Sequence, residues 1–221
     1  MLYLVATPIG NLKDITLRAL EILKSADLIV CEDTRHSSIL LREYEIKRPT
    51  ESFHAHSNVN KEQKILQFLR EGKTVALICD AGMPGISDPG YTLIKVAIEE
   101  GIKISVIPGP SAFLTGLAAS GLPTDKFFYL GFLPLKKGRQ TLFEALKNQK
   151  YTTVFYESPH RIERTLEQLQ KFLGAERKIT VARELTKIHE EFFRGNLAEA
   201  CEHFKKNSPR GEFVIILEGV K

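Results

Sequence analysis

The chain has few cysteines, and their positions do not suggest a crosslink or a zinc site. Its 221 residues include three, Cys31, Cys79 and Cys201. The first two lie in apolar, strand-like runs and the third lies in a predicted helix, so they form neither a disulfide framework nor the paired spacing of zinc ligands. This usage is typical of a reducing compartment, and we expect a cytoplasmic protein.

Long hydrophobic runs and the common nucleotide-binding signatures are also absent. No segment approaches the ~20 apolar residues that a membrane helix needs, and the first residues resemble a strand rather than a secretory signal. Neither G-x-G-x-x-G nor G-x-x-x-x-G-K-[ST] occurs, which argues against a common dinucleotide fold and against a phosphate-cradling NTPase. Strong charge bias is missing as well, because the net charge is only +4. This value permits a nucleic-acid partner without establishing one.

Four unusual turns each follow an apolar, strand-like run. The longest is DAGMPGISDPG at 80–90, and the others are TPIGN at 7–11, CEDTR at 31–35 and PGPSA at 108–112. Open α/β sheets bind ligands at the carboxyl ends of their strands. We therefore predict a ligand site lined by these turns, although a plain turn is the alternative explanation for each one alone.

Strand-like and helix-like segments alternate along the chain, which predicts βαβ units in two α/β domains, residues 1–121 and 122–221. Asp14 is the expected N-cap of the first helix. The stretch after Gly121, with two prolines and a basic end, is expected to cross between the domains. The predicted strands are 2–6, 27–31, 73–79, 102–107, 151–156, 177–183 and 212–218. The predicted helices are 15–25, 36–44, 58–71, 90–100, 111–121, 139–149, 159–173 and 196–206.

The motifs TPIGN, EDTR, DAGMPGISDPGY, PGPSA, FYESPHR and ARELTK together resemble the tetrapyrrole methylase superfamily, in particular its branch that acts on ribosomal RNA. The resemblance covers residues 2–219 or so. It implies a homodimer of two-domain α/β subunits that binds S-adenosylmethionine in a cleft between the domains. The implied reaction is methylation of a cytidine ribose 2′-oxygen in the 16S RNA of the small subunit. Many relatives continue into a helical extension, which we expect this chain, ending at Lys221, to lack.

Two other functions remain open from the sequence. A superfamily member with the same cofactor cleft could methylate a corrin or porphyrin precursor, and a chain of this kind could also serve as a non-catalytic RNA-binding module.

The cofactor residues that the resemblance implies are Pro8, Ile9, Asp80, Gly82, Met83, Ser111, Ala112, Tyr156, Ala182, Arg183, Gly211 and Glu212.

Methyl transfer from a sulfonium depends mainly on alignment, but a base or a cation would help a weakly acidic hydroxyl to react. The candidates are Asp33 and Arg35 in EDTRH, and Glu184 and Lys187 in ARELTK. An acidic helix N-terminus explains the first pair equally well. A structural ion-pair network explains the second.

Candidate RNA contacts are the basic residues Arg35, Lys136, Lys137 and Arg139, for which a solvated face is the alternative. The preceding run FFYLGF could stack bases, but core or dimer interface is the more common role of such a run. His54 and His56 have a spacing that can ligate metal, yet no third ligand is evident, so we expect no metal.

Overall fold

The computed structural model describes residues 1–54, 59–206 and 210–220, and the chain divides into two compact units, Met1–Ser111 and Ala112–Lys221. The first unit contains β1 (Leu2–Val5), α1 (Leu17–Ser25), β2 (Leu28–Cys31), α2 (Thr34–Glu43), β3 (Thr50–Ser52), α3 (Val59–Arg70), β4 (Val75–Leu77), α4 (Tyr91–Glu99) and β5 (Ile104–Ile107). The second contains α5 (Ala112–Ala118), β6 (Phe127–Phe132), α6 (Arg139–Leu146), β7 (Thr152–Glu157), α7 (Ile162–Leu173), β8 (Lys178–Arg183), β9 (Glu191–Asn196), α8 (Leu197–Lys206) and β10 (Phe213–Leu217).

The five strands of the first unit form a parallel sheet in the order β3-β2-β4-β1-β5. Apolar side chains of α1 and α2 pack with one face of this sheet, and those of α3 and α4 pack with the other. Because both faces are covered, the central strands are apolar throughout. The two α/β domains expected from the sequence are confirmed.

The connections after β2 and β4 leave the sheet in opposite directions. β2 continues to β3 at one edge, whereas β4 continues to β5 at the other edge, although β2 and β4 are neighbours. Divergence of this kind opens a crevice at the carboxyl ends of the two strands. The turns CEDTR and DAGMPGISDPG lie there.

The start of α1 differs from the prediction. Thr16, rather than Asp14, is the N-cap, and its side chain accepts a hydrogen bond from the Ala19 N–H at 3.1 Å. Asp14 instead ends a single 3₁₀ turn that Asn11 caps. The helix begins later because this extra turn lies between β1 and α1.

The second sheet is mixed, in the order β6-β7-β10-β8-β9, with β6 parallel to β7 and the other pairs antiparallel. Helices α6, α7 and α8 cover one face, and α5 packs on the other. Gly116 of α5 lies against β10, where an added Cβ would be 3.1 Å from Val214 Cγ1. The helix therefore belongs to the second unit, so the units divide before it and not after residue 121.

Three strands of the structure were not predicted from the sequence: β3, β6 and β9. The run FFYLGF, expected to cross between domains, forms the edge strand β6 with an irregularity between Tyr129 and Phe132. The strands β3 (TES) and β9 (EFFRGN) are short or polar, so they lack the apolar alternation that identifies a strand.

Arg139 was predicted to contact RNA, but the structure corrects this prediction. The residue is 8% exposed, and its guanidinium donates to Thr165 Oγ1 at 2.6 Å, Gln168 Oε1 at 2.9 Å and the Pro134 carbonyl at 3.0 Å. It also lies 3.9 Å from the buried carboxylate of Glu157. With its donors engaged in the interior, Arg139 stabilises the second unit and is not available to phosphate.

Arg139→Ala should lower the free energy of unfolding by about 3 kcal/mol, at the lower end of the range for a broken buried ion pair. The loss is limited because Arg161 still contacts Glu157 at 2.7 Å. Urea denaturation measures the change. The control is Lys136→Ala, because Lys136 lies in the same turn but is exposed. Unchanged stability together with weaker RNA binding would restore the role predicted from the sequence.

Candidate ligand site at the strand ends

The turns after β1 and β4 are joined through their backbones. Thr7 N–H donates to the Gly82 carbonyl at 2.8 Å, and Gly82 N–H donates to the Thr7 carbonyl at 3.0 Å. The buried Thr7 hydroxyl donates to the Cys79 carbonyl at 3.0 Å. Gly82 has a φ of 84°, a left-handed conformation that glycine adopts without strain. These bonds fix the long loop against TPIGN.

The PGPSA turn after β5 reaches the same place. A Cβ added to Gly82 would lie 3.8 Å from both Ile9 Cγ2 and the Pro110 carbonyl oxygen. A Cβ on Gly109 would come within 2.9 Å of the Ala6 Cβ, so this glycine allows the two turns to approach closely. Of the predicted cofactor residues here, Pro8 and Ile9 are buried, and Met83 and Ser111 are partly exposed. Three of the four predicted turns therefore converge.

The fourth turn is tied to the long loop through Asp80, whose Oδ1 accepts from the Asp33 N–H at 3.4 Å. Asp33 is also the N-cap of α2, accepting from the Arg35 N–H at 2.8 Å. The Arg35 guanidinium returns to the Asp33 carboxylate at 2.7 Å, and these contacts lower the pKa of Asp33 to about 2. A carboxylate with so low a pKa is a poor base, which argues against Asp33 as the proton acceptor.

Carboxylates are concentrated at this edge of the sheet. Burial raises the pKa of Glu32, and the nearby Asp80, Asp88 and Asp33 raise it further. Burial also raises the pKa of Asp88, with a further contribution from Asp80. This negative edge favours a ligand that carries positive charge.

The ARELTK turn of the second unit is held by ion pairs. Lys187 Nζ lies 2.8 Å from Glu184 Oε1 and 3.0 Å from Glu212 Oε2, and Glu184 Oε1 also accepts from the Glu212 N–H. Gly211 leaves room for this arrangement, because a Cβ there would overlap the Glu184 side chain. Glu184 and Lys187 thus form the structural network that was the alternative to a catalytic role.

A second network lies beside it. Arg183 Nη1 contacts Glu191 Oε2 at 2.6 Å, while Glu191 Oε1 lies 2.6 Å from His203 Nε2. Arg183 Nε also donates to the Arg210 carbonyl at 2.8 Å. The Arg183 side chain therefore orders the end of β8, which restricts its freedom to bind a ligand.

Other predicted residues of the second unit share the face on which α5 packs. Tyr156 and Ala182 are the register partners of Val214, so the three lie in one row across β7, β10 and β8. Ala182 is buried and Tyr156 is partly exposed. Ala112 begins α5. Tyr156 and Ala182 therefore flank Val214 on the face that α5 covers.

Arg35, Lys136 and Lys137 are exposed, as phosphate contacts require.

His56 lies outside the described residues, so the predicted histidine pair has no structural account. Within residues 1–54, 59–206 and 210–220, no group of three or more His, Cys, Asp or Glu side chains could hold a metal ion. The helices of that same part of the chain include none that is long and apolar enough to cross a bilayer.

Sequence reasoning did not single out Thr7, Asp88 or the Glu191–His203 pair. A hydroxyl residue directly after a buried strand was a usable signal for Thr7, because a buried hydroxyl must find an acceptor. Glu191 and His203 are twelve positions apart and lie on different elements, so no local pattern reveals their contact.

A family model described as Tetrapyrrole (Corrin/Porphyrin) Methylases matches residues 1–201. Among curated proteins, the chain is 48% identical over 218 residues to "Ribosomal RNA small subunit methyltransferase I" of Thermotoga maritima, covering 99% of this chain and 98% of the relative. It is 45% identical to the Escherichia coli O157:H7 protein of that name, covering 100% and 78%.

Solved structures resemble the fold at lower identity. A cobalt precorrin-4 methyltransferase aligns with a TM-score of 0.73 at 18% identity, over 98% of this chain and 94% of that one. A uroporphyrin-III C-methyl transferase from Thermus thermophilus, complexed with S-adenyl homocysteine, aligns with a TM-score of 0.66 at 18% identity, over 98% and 96%. At such identities the likeness shows the fold alone.

Glu32→Gln should stabilise the fold at neutral pH. Because the pKa of Glu32 is raised in the folded state, this residue costs stability as pH rises from its ordinary value of 4.5 through the raised folded value. The variant should therefore melt higher at neutral pH, by no more than a few degrees, and match the wild type well below 4.5. Thermal denaturation at a series of pH values measures this difference, and the exposed Glu43→Gln is the control. If both variants change the melting temperature equally, burial and the neighbouring carboxylates do not destabilise ionised Glu32.

Proposed function

The chain belongs to the tetrapyrrole (corrin/porphyrin) methylase family, and from that premise we propose that it transfers a methyl group from S-adenosylmethionine to small-subunit ribosomal RNA. The observation that carries the proposal is the near-full-length similarity to relatives named for this activity. We further propose that the acceptor is the 2′-oxygen of a cytidine in 16S RNA, as the motifs imply.

The hydrogen-bonded turns after β1, β2 and β4 of the first unit are suited to bind the methyl donor, S-adenosylmethionine. Gly82 brings backbone within reach of a nucleoside, and Asp80 supplies an acceptor whose place is set by its bond to the Asp33 N–H. The acidic edge complements the sulfonium and the ammonium group of the donor. We assign Pro8, Ile9, Met83 and Ser111 to the same ligand. The cofactor residues expected in the second unit remain predictions: Ala112, Tyr156, Ala182, Arg183, Gly211 and Glu212.

In the proposed reaction, the 2′-oxygen forms a bond to the methyl carbon while the carbon–sulfur bond breaks, sulfur keeps the electron pair, and the hydroxyl proton leaves. Alignment of oxygen, carbon and sulfur can contribute roughly 7–11 kcal/mol of the barrier reduction. Of the acidic groups at the edge, Glu32 is better matched than Asp33 to accept the proton, because its pKa is raised rather than lowered. Arg35, Glu184 and Lys187 act in this proposal by holding the turns.

Asp80→Asn should weaken S-adenosylmethionine binding by roughly ten- to a hundredfold, the effect of losing a charged hydrogen-bond partner. Isothermal titration of the donor and of its demethylated product measures the change, and exposed Asp125→Asn is the matched control. An unchanged dissociation constant would place the donor elsewhere. Absence of donor binding by the wild type would instead favour the non-catalytic RNA-binding module.

Replacing the target cytidine by 2′-deoxycytidine in reconstituted small subunits should abolish methyl incorporation, because the acceptor oxygen is then missing. Mass spectrometry of nuclease fragments, from subunits that lack the modification, identifies the nucleotide that gains a methyl group. Methylation of the deoxy substrate would move the acceptor to the base. Turnover of a corrin or porphyrin precursor without methylation of subunits would support the tetrapyrrole alternative.

A further inference from the structure

Five aromatic rings form a continuous row in the second unit, and we refer to Phe113, Phe127, Tyr129, Phe132 and Tyr156 as the aromatic row. Phe113 stacks on Tyr129 with centroids 4.3 Å apart and also lies 6.4 Å from Phe127. Tyr156 contacts Tyr129 at 5.7 Å and Phe132 at 5.3 Å. The row therefore runs from α5 across the edge strand β6 to β7.

The aromatic row is not part of the hydrophobic core. Phe132 is 58% exposed and Phe127 is 38% exposed, and the other three rings are partly exposed. By contrast, Phe143, Phe155, Phe204 and Phe213 on the opposite face of the sheet are all below 2%. The first and last phenylalanines of FFYLGF are therefore not core residues, and more than half of the Phe132 side chain is exposed to solvent.

Lysines accompany the exposed rings. Lys136 and Lys137 follow β6 and are exposed, whereas Lys126, which precedes β6, lies over the Tyr151 ring at 5.9 Å from the centroid. Residues 126–139 include no acidic residue. Lysine is depleted in protein–protein interfaces, whereas aromatic faces beside cations are the composition that binds single-stranded nucleic acid. Charge thus favours a polyanionic strand over a second copy of the chain.

We propose that Phe132, supported by Tyr156, stacks an unpaired nucleobase of the RNA substrate, with Lys136 and Lys137 contacting its phosphates. This inference rests on the proposed function and specifies how the substrate is held. Phe132 and Tyr156 are register partners at the ends of β6 and β7. The two rings are therefore neighbours at this end of the sheet, with centroids 5.3 Å apart.

The test uses the full chain and a single-stranded RNA oligonucleotide that carries 2-aminopurine, whose fluorescence falls when the base stacks on a ring. Phe132→Ala should weaken binding about fivefold to a hundredfold and abolish quenching, with the salt dependence unchanged. Phe132→Tyr should retain both properties. Tyr151→Ala, at the opposite end of β7 and also exposed, is the matched aromatic control and should behave as the wild type.

The lysines should show the complementary behaviour. Lys136→Ala and Lys137→Ala should each reduce the slope of log affinity against log salt by about 0.7 while leaving quenching in the bound state intact. If Phe132→Ala leaves RNA binding and quenching unchanged, or if wild-type protein gives no quenching, the inference is overturned.

A second copy of the chain is the competing occupant. Sedimentation of wild type and Phe132→Ala tests this: dissociation of an oligomer without loss of quenching would assign the aromatic row to an interface between copies and refute base stacking. The proposed function is judged separately, by donor titration and methyl transfer to small subunits with the wild type. Transfer that is undiminished in Phe132→Ala would remove only the stacking inference.

Discussion

The paired backbone hydrogen bonds between Thr7 and Gly82 are the constraint on which the strand-end site depends. A loop as rich in glycine as 80–90 has much conformational freedom to lose, about 1–2 kcal/mol for each ordered residue. The bridge and the buried Thr7 hydroxyl offset part of that cost within the folded protein. These bonds therefore reduce the ordering energy that ligand binding has to supply.

The two units order their strand ends by different means. The first relies on close backbone approach at Gly82 and Gly109, while the second relies on charged side chains, with Lys187 between Glu184 and Glu212. Groups that neutralise one another are poorly suited to donate or accept a proton. Of the four predicted catalytic residues, all are engaged in such contacts, which fits a reaction that depends mainly on alignment.

Most of the fold could be predicted because apolar runs and glycine-rich turns alternate regularly. What could not be predicted depended on partners distant in sequence: Arg139 looks like part of a basic surface until α7 places Thr165 and Gln168 beside it. The strand β6 was missed because its aromatic residues are half exposed, so they show no clean alternation. In the site, parallel topology made the convergence of the turns predictable, whereas the Thr7 bridge is a backbone interaction with no signature beyond one buried hydroxyl.

Charge at the first sheet edge has a consequence for the order of events in the proposed reaction. Burial and the nearby Asp80 raise the pKa values of Glu32 and Asp88, so these carboxylates are less stable at this edge than they would be in water. The donor brings a positive sulfonium and relieves this repulsion, but transfer leaves a neutral thioether. The attraction is thereby lost in the same step that completes the chemistry, which favours departure of the product over renewed binding. The same carboxylates repel phosphates, so the RNA strand must be held by cations such as the exposed Lys136 and Lys137, and not by this edge.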